Sequence, residues 1–65
     1  MNICVVGMGL IGGSVCKAVR EYTTHRIYGV DTDPKTVQAA LEDGVVDGII
    51  EDGNYAEIDM TIVCL

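Results

Sequence analysis

Val6-Gly7-Met8-Gly9-Leu10-Ile11-Gly12-Gly13-Ser14 decides how the rest of this 65-residue chain is read. The stretch follows an apolar run, Ile3-Cys4-Val5-Val6, and opens into a segment with helical spacing. A Gly-x-Gly-x-x-Gly string carries little meaning alone. Between a strand and a helix it points to a dinucleotide-binding turn. Gly7 lets the chain leave a buried strand sharply, Gly9 lets a pyrophosphate approach the backbone, and Gly12 lets the helix lie against the strand. The first amides of the helix, chiefly those of Leu10 and Ile11, then face the phosphates with the positive end of the helix dipole behind them. No Lys or Arg lies between Met1 and Cys16, and this mode of holding an anion needs none.

Working outward, Asn2 to Val6 reads as a short, buried, parallel strand. Leu10 to Tyr22 reads as a helix whose apolar stripe is expected at Ile11, Val15, Ala18, Val19 and Tyr22. Lys17 and Arg20 lie off that stripe, and Lys17 reads as a solvated helix charge in preference to a phosphate contact. Thr23-Thr24-His25 is a connection at the end of the unit opposite the glycines, so His25 is expected to be an exposed loop residue without a catalytic role. Arg26 to Val30 reads as the second strand. Asp33-Pro34 supplies a cap acceptor followed by a proline at the first helical position, and the second helix is expected to run to about Asp43, closed by Gly44. A third strand is expected around Gly48 to Glu51, a loop at Glu51-Asp52-Gly53-Asn54, and one helical turn or none over Tyr55 to Asp59. Met60 to Leu65 reads as a buried strand. The alternation implies parallel strands joined by right-handed crossovers. The expected fold is α/β, the first half of a Rossmann-type doubly wound sheet with strand order 3-2-1-4. Residues 1–65 would form the N-terminal half of a dinucleotide-binding domain, with Cys64 and Leu65 at the rim of its cleft.

The acid at the end of the second strand adds specificity. Asp31 stands 19 residues after Gly12, and a ribose-binding carboxylate is expected about 20 residues beyond the glycine run. A carboxylate there accepts from the adenosine ribose hydroxyls and repels a 2′-phosphate, and no arginine stands beside it. NAD is therefore expected over NADP. The candidate cofactor-binding residues are Gly7, Met8, Gly9, Leu10, Ile11, Gly12, Asp31 and Thr32. Ser14 reads equally well as a helix first-turn hydroxyl or a ligand contact.

Composition narrows the remaining classes. Four basic and ten acidic side chains leave a net charge of −6, which disfavours nucleic acid and anionic membrane surfaces as partners. No stretch reads as a membrane span or a signal peptide. Cys4, Cys16 and Cys64 are odd in number, widely spaced and set in apolar surroundings. They read as buried thiols of a cytoplasmic protein, with no metal site. A chain this short buries only about 60% of the surface it exposes when unfolded, so it is expected to be part of a longer protein.

The run Gly7-Met8-Gly9-Leu10-Ile11-Gly12-Gly13-Ser14 resembles that of the prephenate and arogenate dehydrogenases of tyrosine biosynthesis. Tyr28-Gly29-Val30-Asp31, Gly44-Val45-Val46-Asp47 and Ile58-Asp59 before Met60-Thr61-Ile62-Val63 continue the resemblance in register across essentially the whole chain. It implies an NAD- or NADP-linked oxidoreductase that oxidises the ring hydroxyl carbon of prephenate or arogenate, with loss of the ring carboxylate as carbon dioxide. It also implies a catalytic histidine and an anionic-substrate site elsewhere in the protein, and a helical domain that makes a homodimer. His25 does not match the family's histidine, so no catalytic residue is expected here. Two other classes share this half-domain: hydroxyacid or imine dehydrogenases, and nucleotide-sensing modules without chemistry, as in the regulatory domains of potassium transport systems. The latter usually have a longer, helix-containing stretch between strands three and four, whereas about nine residues separate Glu51 from Met60 here.

Overall fold

In the computed structural model, which describes residues 1–50, 53 and 55–64, the glycine run sits where a strand gives way to a helix. The elements in order are β1 (Asn2–Val6), α1 (Leu10–Tyr22), β2 (Arg26–Val30), α2 (Pro34–Glu42), β3 (Gly48–Ile49) and β4 (Met60–Val63). The strands form one sheet in the order β3-β2-β1-β4, with every pair parallel. The expected half of a doubly wound sheet is therefore present.

Register aligns the carboxyl ends of the strands. Val6 pairs with Val30 on one side and with Val63 on the other. Two bonds carry the pairing past the strand ends: Gly7 N–H donates to the Val30 carbonyl at 2.8 Å, and Cys64 N–H to the Val6 carbonyl at 2.7 Å. The residues leaving β1, β2 and β4 thus emerge side by side, which is where such a sheet receives its ligand. Cys64, half-buried, occupies the expected rim position; Leu65 lies outside the described residues.

One core cluster joins Ile3 and Val5 of β1, Met8, Cys16 of α1, Ile27 of β2 and Val46. The thiols of Cys4 and Cys16 are both buried and free, and burial raises both pKa values. Among the described residues no group of three or more His, Cys, Asp or Glu is arranged to hold a metal ion, and no helix is long and apolar enough to cross a membrane.

Three expectations need correction. The inward face of α1 is Gly12 and Cys16 with Val15 and Val19 beside them, whereas Ala18 is exposed and Ile11 and Tyr22 are 73% and 80% exposed. The cause is Gly12. A Cβ on it would lie 1.8 Å from the Gly7 carbonyl oxygen, so this closest approach, not the most apolar stripe, sets the rotation of the helix. β4 is not buried: Met60 and Val63 are 45% and 61% exposed, because β4 is the edge of the sheet. His25 is half-buried, and its Nδ1 lies 2.9 Å from the Met1 ammonium.

The smaller elements follow local rules. Asp33 caps α2 by accepting from Lys35 N–H at 3.0 Å, with Pro34 opening the helix. Gly44 takes φ 70° directly after the α2 cap. The segment before β4 holds a turn, closed by Ile58 N–H to the Tyr55 carbonyl at 3.1 Å, and no helix. β3 covers Gly48–Ile49, and Ile50 N–H still reaches the Gly29 carbonyl at 3.2 Å. Glu51, Asp52 and Asn54, expected in a strand end and a loop, lie outside the described residues.

Candidate functional site

The turn between β1 and α1 has one residue in a conformation that favours glycine and one that is open. Gly7 takes φ 92°, a region that side chains disfavour. Gly9, the N-cap of α1, has φ −65°, which any residue can adopt. A Cβ placed on Gly9 meets nothing within 4 Å. Neither backbone conformation nor packing within the described chain requires glycine at that position. The open space in front of it is what a close-lying ligand needs.

The amides beside Gly9 are available in the same direction. The helix ladder begins with Gly13 N–H donating to the Gly9 carbonyl at 2.8 Å, so the N–H groups of Leu10, Ile11 and Gly12 come before it. No side chain caps this end, and the first turn holds no acidic residue. Leu10 is 94% exposed, which leaves the helix start facing outward. A diphosphate fits such a donor set, because the dipole and the leading amides supply the positive potential. The open Gly9 and the uncapped helix start of this chain suit that group.

Asp31 is bound to this turn rather than merely near it. Its Oδ2 accepts from Met8 N–H at 2.7 Å, and its Oδ1 accepts from Asp33 N–H at 2.9 Å. These contacts hold its carboxyl below the ordinary value of 3.8, the Asp33 amide first and the Met8 amide next. An ionised carboxylate offers about four acceptor positions, so two bonds leave capacity for sugar hydroxyls. Asp31 also lines a cavity of about 460 Å³ with Val30, Pro34, Gln38 and Ile50. Thr32 follows it and is exposed.

Met8 differs from the other expected site residues. Its side chain is buried, and a Cβ on Gly29 would lie 3.0 Å from its sulfur. Its amide is taken by Asp31. Met8 therefore anchors the turn to the core, and its side chain does not face the ligand space. Ser14 donates its hydroxyl to the Leu10 carbonyl at 2.9 Å, the helix first-turn role.

Sequence reasoning missed two features. One is the Asp31–Met8 bond. The recurring strand–turn–helix context was a signal for it, since it brings the end of β2 beside the glycine turn. The other is that Lys17 of α1 and Lys35 of α2 line one cavity. The signal there was handedness: consecutive right-handed crossovers place both helices on one sheet face.

Comparison with known proteins agrees with the geometry. The model of the TrkA-N domain family matches residues 3–60. Among solved structures, the arogenate dehydrogenase of Synechocystis superposes with a TM-score of 0.87 at 32% identity, over 98% of this chain and 23% of that one. The chain thus spans about a quarter of that enzyme's length. No curated protein sequence matches the chain.

Proposed function

The chain belongs to the TrkA-N domain family, and on that premise we propose that it is the NAD-binding part of a dehydrogenase of the prephenate and arogenate type. Residues 1–65 would be the N-terminal half of its dinucleotide-binding domain. The observation that carries this reading is Gly9: a helix N-cap with ordinary φ, no side chain and open space in front of it.

In this proposal the amides of Leu10 and Ile11 hold the diphosphate, and Gly9 admits it to the backbone. Gly7 and Gly12 set the turn and the helix contact, with Met8 anchoring the turn from below. Asp31 accepts from the 2′- and 3′-hydroxyls of the adenosine ribose, and Thr32 borders the same sugar. The carboxylate keeps a negative charge where NADP would place its 2′-phosphate, which favours NAD. When bound, NAD supplies a hydride acceptor. The residues that bind an anionic substrate and take its hydroxyl proton lie outside this chain, as do those of a homodimer interface. The setting is cytoplasmic.

The 32% identity to an arogenate dehydrogenase over nearly all of this chain supports that choice of reaction. The full-length protein, given NAD with prephenate or arogenate, is expected to generate NADH with one of the two. A nucleotide-sensing module without chemistry is the second reading, since the same cradle suits it and the family match covers that cradle. Against it stands the short link before β4, which holds a turn and no helix among the described residues. Tight NAD binding with no NADH formed from either substrate would decide for the sensing module.

A further inference from the structure

The groove between α1 and α2 gathers positive charge in an otherwise acidic chain. A cavity of about 630 Å³ lies there, lined by Gly9, Ser14 and Lys17 on one side and by Lys35, Thr36 and Asp43 on the other. Cavities of roughly 300–1,000 Å³ are the size that takes small molecules. The 65-residue chain has only four Lys and Arg residues against ten Asp and Glu. Arg20 is paired with Asp47 at 2.9 Å. Arg26 opens β2, at the end of the sheet away from the glycine turn. The other two, Lys17 and Lys35, both line this cavity, and neither has an ion-pair partner among the described residues.

The surroundings strengthen the two ammonium groups. Lys35 and Thr36 lie in the first turn of the nine-residue α2, where the helix dipole is positive. The Thr36 hydroxyl adds a hydrogen-bond donor. Asp43 is the one carboxylate among the lining residues, and Asp31 is not among them. Two ammoniums against one carboxylate leave this wall net positive while the chain carries −6. Gly9 belongs to both the cavity and the diphosphate cradle, so the two spaces adjoin.

We propose that the α1–α2 cavity is a site for a terminal phosphate anion held by Lys17 and Lys35, adjoining the diphosphate cradle and separate from the ribose carboxylate. The phosphate has two sources, a free phosphate or a phosphate group carried by a dinucleotide. Only the second rests on the cofactor reading above. Lysine suits either source, because it acts as a mobile point charge without demanding bidentate geometry.

The test is calorimetric titration of the full-length protein with inorganic phosphate, NADP and NAD, at constant ionic strength set by chloride. Wild type is compared with the Lys17→Gln/Lys35→Gln double variant and with Arg26→Gln as a charge control. The double variant is expected to lose at least tenfold in affinity for inorganic phosphate if the source is free, or for NADP if the dinucleotide carries it. Its NAD affinity should stay within twofold, and Arg26→Gln should match wild type throughout. Double-variant affinities within twofold of wild type for both phosphate and NADP would overturn the proposal, as would a wild type that binds neither. If the double variant melts early, Lys17→Gln alone, an exposed helix position, is expected to show a loss of at least threefold in the same arm, and no loss would overturn it. Loss of NAD binding in every protein would sink the cofactor reading, while the inorganic phosphate arm would still judge the cavity.

Discussion

Asp31 and Asp47 use the same device at opposite ends of the sheet. Each carboxylate sits next to a strand end and ties a neighbouring backbone amide. Asp31 accepts from Met8 N–H at 2.7 Å, and Asp47 from Ile27 N–H at 2.9 Å. Each is held below the ordinary carboxyl value, Asp31 first by the Asp33 amide and Asp47 first by the Arg20 guanidinium. That guanidinium is the difference. Asp47 is neutralised at 2.9 Å by Arg20, which also reaches the Val45 carbonyl. Among the described residues Asp31 has only amide partners, so its charge is dispersed but not cancelled. A paired carboxylate joins the end of α1 to the approach to β3. An unpaired one beside an open helix start remains able to receive a ligand.

Replacements at the two glycines give the largest contrast. Gly12→Val is expected to destabilise the protein by ~3 kcal/mol in a denaturant melt, because its Cβ would meet the Gly7 carbonyl at 1.8 Å. An unchanged midpoint would show that this helix contact is not what fixes α1. Gly9→Val is expected to cost no more than ~1 kcal/mol of stability, the value of a poorer cap. NAD affinity should fall about a hundredfold, which is ~2.7 kcal/mol of binding. Retained affinity would place the diphosphate elsewhere.

The carboxylates come next. Asp47→Asn should lower stability by about 0.5–1 kcal/mol, as befits a half-exposed ion pair, and leave NAD affinity unchanged. A drop in NAD affinity would mean that the two ends of the sheet are coupled. The smallest expected effect is that of pH. Both carboxyls have lowered pKa values in the fold. Their stabilisation is therefore present above the ordinary value of 3.8 and is lost as pH falls through the lowered folded values. In an acid titration Asp31→Asn and Asp47→Asn should each flatten that loss, and an unaltered acid limb would remove the residue concerned from the account.

Much of this was legible in one dimension because the residues involved act locally. Asp33-Pro34 caps α2, Gly44 closes it, and the apolar runs became β1 and β2 within their expected bounds. The Gly12 contact was legible as a motif, yet its consequence for Ile11 and Tyr22 was not, since apolar periodicity does not register a backbone-to-backbone approach. The exposure of Met60 and Val63 was hidden for another reason. Alternation and β-branching report a strand, while burial depends on whether a strand has neighbours on both sides. The Asp31–Met8 bond and the Lys17–Lys35 wall depend on pairings between residues 23 and 18 positions apart, which only the crossover geometry brings together.

The most direct test of the unpaired carboxylate is the ratio of NAD to NADP affinity in the full-length protein, measured for wild type and for Asp31→Ser. Wild type should prefer NAD, and Asp31→Ser should bind NAD more weakly with that preference narrowed about tenfold, ~1.4 kcal/mol. A ratio left where wild type has it would contradict the role assigned to Asp31.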